Sequence, residues 1–113
     1  MNKETRFSEY KIMWVIVFFD LPTEFKSQRK AYAAFRKALV SDGFTMFQYS
    51  MYLRHCPSKE NAEVHIKRIR ASLPGEGKVC IMMITDKQFG DIRIFDGKAQ
   101  THSETESNNL DLL

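Results

Sequence analysis

At 113 residues, with 43% hydrophobic residues including nine Phe, four Tyr and one Trp, the chain has the size of one domain and enough large apolar groups to fill one core. Five Gly and three Pro exclude a low-complexity or collagen-like chain, and 27% charged residues among so many aromatics exclude global disorder. Net charge is +3, but the last fifteen residues hold Glu104, Glu106 and Asp111 and no Lys or Arg, so the first 98 carry +6, a balance that suits either a polyanion partner or a solvated helix face.

Residues 1–11 read as a polar N-terminal extension, without the small-residue cleavage site that follows a secretory signal, and a cytoplasmic location is expected. Residues 12–19, Ile12-Met13-Trp14-Val15-Ile16-Val17-Phe18-Phe19, are apolar on both alternating faces, as a central strand covered on both sides requires. These eight residues are the longest apolar run, whereas a bilayer-spanning helix needs about twenty, so no membrane span is expected. Asp20-Leu21-Pro22 breaks the strand, and Thr23 offers an N-cap hydroxyl. Ala31, Ala34, Phe35, Ala38 and Leu39 then recur at three- and four-residue spacing up to Asp42-Gly43, which predicts a first helix. Over residues 23–39, Lys26, Arg29, Lys30, Arg36 and Lys37 face only Glu24.

Residues 44–56 are rich in strand-forming residues but too long for one average strand, and they divide near Gln48-Tyr49-Ser50 into two adjacent strands. Pro57-Ser58 opens a second helix with Ala62, Ile66, Ile69 and Leu73 on its apolar face, ended by Pro74-Gly75-Glu76-Gly77. Residues 78–85 read as a strand, Asp86-Lys87-Gln88 as a mobile link, and residues 91–97 as a short exposed strand ending in a turn. Residues 98–113 lack any apolar period and read as a flexible tail. Cys56 and Cys80 lie in apolar segments without a Cys-x-x-Cys pair and read as buried, reduced thiols.

This order predicts an α+β domain over residues 12–97 with a ferredoxin-like βαββαβ unit, an extra C-terminal strand, and both helices on one face of an antiparallel sheet. The other face would be bare, yet the strands carry large apolar groups on both sides, which points to a closed twofold homodimer.

Asp20 is the most informative acid, since it ends a buried strand and enters a tight turn. It can organise the turn by accepting backbone N–H bonds, or it can ligate a metal. One carboxylate is a poor Mg²⁺ site, but a twofold axis nearby would bring a symmetry mate alongside. His55 and His65 have no acid at short spacing, and His65 reads as a boundary residue of the second helix. No nucleophile elbow or phosphate-cradling glycine loop occurs.

Phe18-Phe19-Asp20-Leu21-Pro22 behind a buried strand, the Lys- and Arg-rich first helix, Gly43-Phe44, and Phe47-Gln48-Tyr49-Ser50-Met51-Tyr52 together resemble CRISPR-associated protein two, the small nuclease-like subunit of CRISPR spacer acquisition. Phe95-Asp96-Gly97 and the N-terminal extension are similar to members from type II systems. The resemblance implies a ferredoxin-like homodimer in which the C-terminal strand of each subunit lies on the other's sheet, and which bridges the integrase, CRISPR-associated protein one, on double-stranded DNA. It also implies Mg²⁺-dependent endonuclease chemistry on RNA or DNA, with Asp20 of each subunit as catalytic residue and metal ligand. Nucleic-acid contacts would come from the basic first helix, with Lys26, Arg29, Lys30, Arg36 and Lys37 as candidates. Two other readings share the element order: a toxin-like metal-dependent ribonuclease, and an RNA-recognition module, which needs aromatics exposed on its central strands.

Overall fold

The computed structural model describes residues 11–102. Strand β1 (Met13–Asp20) is followed by helix α1 (Lys26–Ser41), a hairpin of β2 (Thr45–Gln48) and β3 (Met51–Cys56), helix α2 (Lys59–Ala71) and strand β4 (Lys78–Thr85). The sheet order is β2-β3-β1-β4 with antiparallel neighbours throughout, which is the ferredoxin-like βαββαβ arrangement. As expected, the long aromatic segment divides at Tyr49-Ser50, between the paired residues Gln48 and Met51. Ser50 makes the turn without a glycine by adopting the left-handed region at φ 62°.

Alternation along β1 sorts its side chains between two cores. Met13, Val15, Val17 and Phe19 pack under the helices with Phe35 and Leu39 of α1 and Ala62 and Ile69 of α2. Helix α1 ends as its sequence requires: Gly43 at φ 87° lets Phe44 N–H reach the Leu39 carbonyl at 3.0 Å and Gly43 N–H reach that of Val40 at 3.1 Å. Its start differs from expectation. Phe25, not Thr23, occupies the N-cap, and the Gln28 side chain reaches back to accept from the Phe25 N–H at 2.9 Å. In α2, Ser58 caps the first turn by accepting from Asn61 N–H at 3.0 Å. Leu73 lies beyond the end of that helix and is exposed rather than on its buried face.

The second sheet face is not bare. Where a mobile link was expected, Asp86–Gly90 forms a short helix, α3, capped reciprocally by Thr85 and Gln88. Phe89 of α3 stacks on Trp14 with ring centroids 4.1 Å apart, and Trp14 Nε1–H donates to Asp86 Oδ1 at 2.7 Å. The Trp14 end of the face, with Ile16 and Leu53, is therefore buried by the chain's own helix. Cover stops there: Phe18 and Met82, on the same face, remain 36% and 47% exposed.

The last strands also differ from the reading. Ile92 N–H still bonds back to Phe89, so strand begins only at β5 (Ile94–Asp96). Within the stretch read as a tail, Ala99–His102 forms β6, which pairs with β5 around Gly97 in a separate two-stranded sheet. The first ten residues of the expected N-terminal extension, and the expected tail past residue 102, lie outside the described residues.

Candidate active site

Phe19 points into the helix-side core, so its neighbour Asp20 is turned to the opposite face, at the open end of β1. Two neighbours fix the backbone there. Phe19 N–H donates to the Ser50 carbonyl at 3.0 Å, tying the β2–β3 turn to β1. From the other side Gly77, at φ 90°, approaches so closely that a Cβ would lie 2.8 Å from the Asp20 carbonyl oxygen, a position only glycine fills. The Asp20 carboxylate thus sits on a rigid support while remaining exposed, and it has no hydrogen bond or ion pair among the described residues.

Around it opens a cavity of about 310 Å³ whose lining includes Phe18, Gln48, Tyr49, Ser50 and Lys78. Lys78 is the register partner of Asp20 across β1 and β4, and its ammonium suits a phosphate oxygen. Half-buried Cys80 also lines the cavity, contrary to the expectation of two buried thiols, whereas Cys56 is fully buried. Burial raises the Cys56 thiol above its ordinary pKa against the opposing pull of Arg54, which keeps it protonated and inert.

Sequence reasoning missed the aromatic side of this cavity. Tyr49 is 79% exposed at the turn tip, with its ring 6.3 Å from that of Tyr32 and inclined 23° to it. The Tyr32 hydroxyl lies 3.4 Å from that of Ser50. Tyr32 pushes the Tyr49 phenol above its ordinary pKa, so the ring is neutral at physiological pH.

The metal expectation meets a short donor set. Mg²⁺ takes six oxygens, commonly one or two carboxylates with waters and substrate phosphates. One copy of the chain provides a single carboxylate here, and among the described residues no three His, Cys, Asp or Glu side chains gather anywhere. One copy alone does not make the site; two Asp20 carboxylates with water would be a hard-oxygen set suited to the ion.

The basic residues stand elsewhere. Lys26, Lys30 and Lys37 fall within about 40° of one another around α1, a stripe about 16 Å long on the side away from Phe35 and Leu39. Arg36 lies on an adjacent exposed line. Arg29 is turned back to donate to the Thr23 and Glu24 carbonyls at 3.0 and 2.8 Å, bracing the β1–α1 loop. Because α1 covers the helix-side face and Asp20 the other, one copy does not bring the lysine stripe and Asp20 together.

His65 is likewise inside rather than at a boundary. It is 4% exposed, and its Nδ1 lies 2.7 Å from Asp42 Oδ2, while Arg68 Nη1 donates to Asp42 Oδ1 at 2.7 Å. Burial raises the Asp42 carboxyl, but the His65 and Arg68 hydrogen bonds outweigh it and hold the group below its ordinary 3.8. This cluster clamps the end of α1 to α2, remote from Asp20.

A strand-ending aspartate on a ferredoxin-like sheet is the setting in which comparison with known proteins becomes decisive. The family profile of CRISPR associated protein Cas2 matches residues 13–92. The chain belongs to this Cas2 family. Similar proteins include a CRISPR-associated endoribonuclease Cas2 of Flavobacterium psychrophilum, 54% identical over 109 residues covering 96% of this chain and 95% of that protein. One of the same description from Parvibaculum lavamentivorans is 54% identical over 101 residues, covering 89% of this chain and 100% of its own. A more distant one, from Streptococcus mutans, is 33% identical over 101 residues, 89% of this chain and 93% of that protein. The Cas2 match spans β1 through α3, and so includes Asp20, the Tyr49-Ser50 turn and Lys78.

Proposed function

We propose that this Cas2 family member acts in the cytoplasm as a homodimeric subunit of CRISPR spacer acquisition, bridging the integrase, CRISPR-associated protein one, on double-stranded DNA. Its paired Asp20 carboxylates hold Mg²⁺ in a phosphodiester-cleaving site. The observation that carries this reading is the exposed, unpartnered Asp20 at the uncovered end of the sheet face, a single carboxylate bordered by exposed Phe18 and Met82. A second copy closing over that end supplies a second carboxylate and covers the apolar groups in one step. The outer edge of β4, eight residues long and unpaired in the sheet order, favours the addition of a strand from the partner's β5–β6 hairpin.

Bound Mg²⁺ supplies charge neutralisation at a phosphate and a more acidic water. In this account Asp20 provides carboxylate oxygens from a backbone that Ser50 and Gly77 keep fixed, and Lys78 holds a phosphate oxygen beside it. The lysine stripe of α1, on the outer layer, takes up the phosphates of a DNA duplex. The name endoribonuclease borne by the relatives favours RNA as the strand cut. A toxin-like ribonuclease would use the same site and arrest growth on expression. An RNA-recognition module is disfavoured by Leu53, an aliphatic residue that α3 covers on the central strand β3, where such a module needs an exposed aromatic.

Cleavage of labelled RNA and DNA with and without Mg²⁺, by wild type and Asp20→Ala, tests the site. The expected result is metal-dependent cleavage in wild type alone, whereas equal cleavage by both overturns it. Spacer acquisition retained by Asp20→Ala, and co-purification of either protein with the integrase, support the bridging role. Acquisition lost in Asp20→Ala with the dimer intact contradicts a bridging role that is independent of the carboxylates.

A further inference from the structure

On the aromatic side of the Asp20 cavity, Tyr32 packs against the helix-side core, but Tyr49 does not. Tyr49 belongs to neither core cluster, and at 79% exposure it is the most exposed large hydrophobic side chain among the described residues. Yet its support is rigid. The turn that carries it is tied to β1 through the Ser50 carbonyl at 3.0 Å, and Ser50 at φ 62° holds a conformation that a free chain seldom adopts. The Tyr32 ring lies nearly parallel beside the Tyr49 ring, inclined by 23°, and leaves much of it open to solvent. In one copy of the chain Tyr49 and Asp20 line one cavity of about 310 Å³, at the small end of the range for ligand sites.

Building on the phosphodiester-cleaving reading of Asp20, we infer that Tyr49 is a substrate-binding residue that stacks on one unpaired base of a single-stranded nucleic acid whose adjoining phosphate lies at Asp20 and Lys78. A neutral phenol ring accepts any base face, so the contact selects unpaired over paired nucleotides rather than one sequence. A base held in a duplex keeps both faces stacked on its neighbours and cannot make this contact without leaving the helix. RNA and DNA present the same base faces and differ at the 2′-hydroxyl, so the strand type is decided by separate arms of the test.

The test is fluorescence titration of short RNA and DNA oligonucleotides carrying one 2-aminopurine, single-stranded or annealed to a complement, with every protein in the Asp20→Ala background so that nothing is cut. The Tyr49 protein should quench 2-aminopurine in a single-stranded RNA or DNA, and Tyr49→Phe should quench it equally. Tyr49→Ala should lose the quenching and bind the single strand between about five- and 150-fold more weakly, with duplex binding unchanged. Circular dichroism checks that Tyr49→Ala is folded, as its exposure predicts. Quenching and affinity unchanged in Tyr49→Ala for both strand types overturn the inference, as does an equal loss for single strands and duplex. Cleavage is scored separately with Asp20 intact. Its absence from wild type overturns the active-site reading without altering the stacking result.

Discussion

Asp20 and Lys78 face each other in register across β1 and β4, yet no ion pair joins them. Neighbouring opposite charges on an exposed strand end gain little from pairing in water, and here both remain free for a ligand. Asp20→Ala should therefore abolish Mg²⁺-dependent cleavage while leaving the urea unfolding midpoint unchanged. Lys78→Ala should weaken substrate binding more than it slows the bound reaction, a rise in KM with a smaller fall in kcat. A large loss of stability in Asp20→Ala would make the residue a turn organiser instead.

The Asp42 clamp gives the fold a pH dependence of known sign. Asp42 titrates below its ordinary 3.8 in the folded state, so its stabilisation is fully present above that pH and is lost as pH falls through the lower folded value. Asp42→Ala also leaves buried His65 without its acceptor, at a cost of about 1–3 kcal/mol near neutral pH. Denaturant unfolding of wild type and Asp42→Ala from neutral pH down to about pH 3 should show the gap between them closing at the acid end.

Helix α3 is anchored chiefly through Phe89. Removing that ring from Trp14 should cost about 3–5 kcal/mol and expose the only Trp in the chain. Phe89→Ala should accordingly unfold at lower denaturant, with a red-shifted tryptophan emission already present before the transition.

If the outer stripe of α1 meets duplex phosphates, replacing Lys26, Lys30 and Lys37 together by Ala should flatten the slope of log affinity against log salt by about 2 to 3. Cleavage of short single strands should persist, because the stripe lies on the face opposite Asp20. Replacing Arg29 should instead loosen the β1–α1 loop whose carbonyls it holds.

Much of this architecture is legible in residue spacing. The seven apolar residues of β1, the α1 stripe closed by Asp42-Gly43, and the Ser58 cap each satisfy a local rule strong enough to survive folding. The hairpin at Tyr49-Ser50 was visible only as excess strand length, since Ser50 takes the left-handed conformation that glycine ordinarily signals. Helix α3 is too short for a period and carries a single large apolar anchor, although Thr85 and Gln88 spell the reciprocal cap that could have revealed it. Strand β6 is polar, and only Asp96-Gly97 ahead of it hints at a turn. The pairing of Asp42 with His65, 23 residues apart, depends on how the helices dock and leaves no local trace. Asp20 was found because strand end and turn coincide in sequence, whereas Tyr49 joined the site only once β2 and β3 were folded against β1.

Mixed dimers test the shared site most directly. Wild type and Asp20→Ala chains, combined in varying proportion and refolded together so that subunits redistribute, should cleave with Mg²⁺ in proportion to the square of the wild-type fraction, leaving about a quarter of the activity at an equal mixture. Activity that falls linearly, to about half at that point, would mean that each copy works with its own carboxylate and would contradict the paired site.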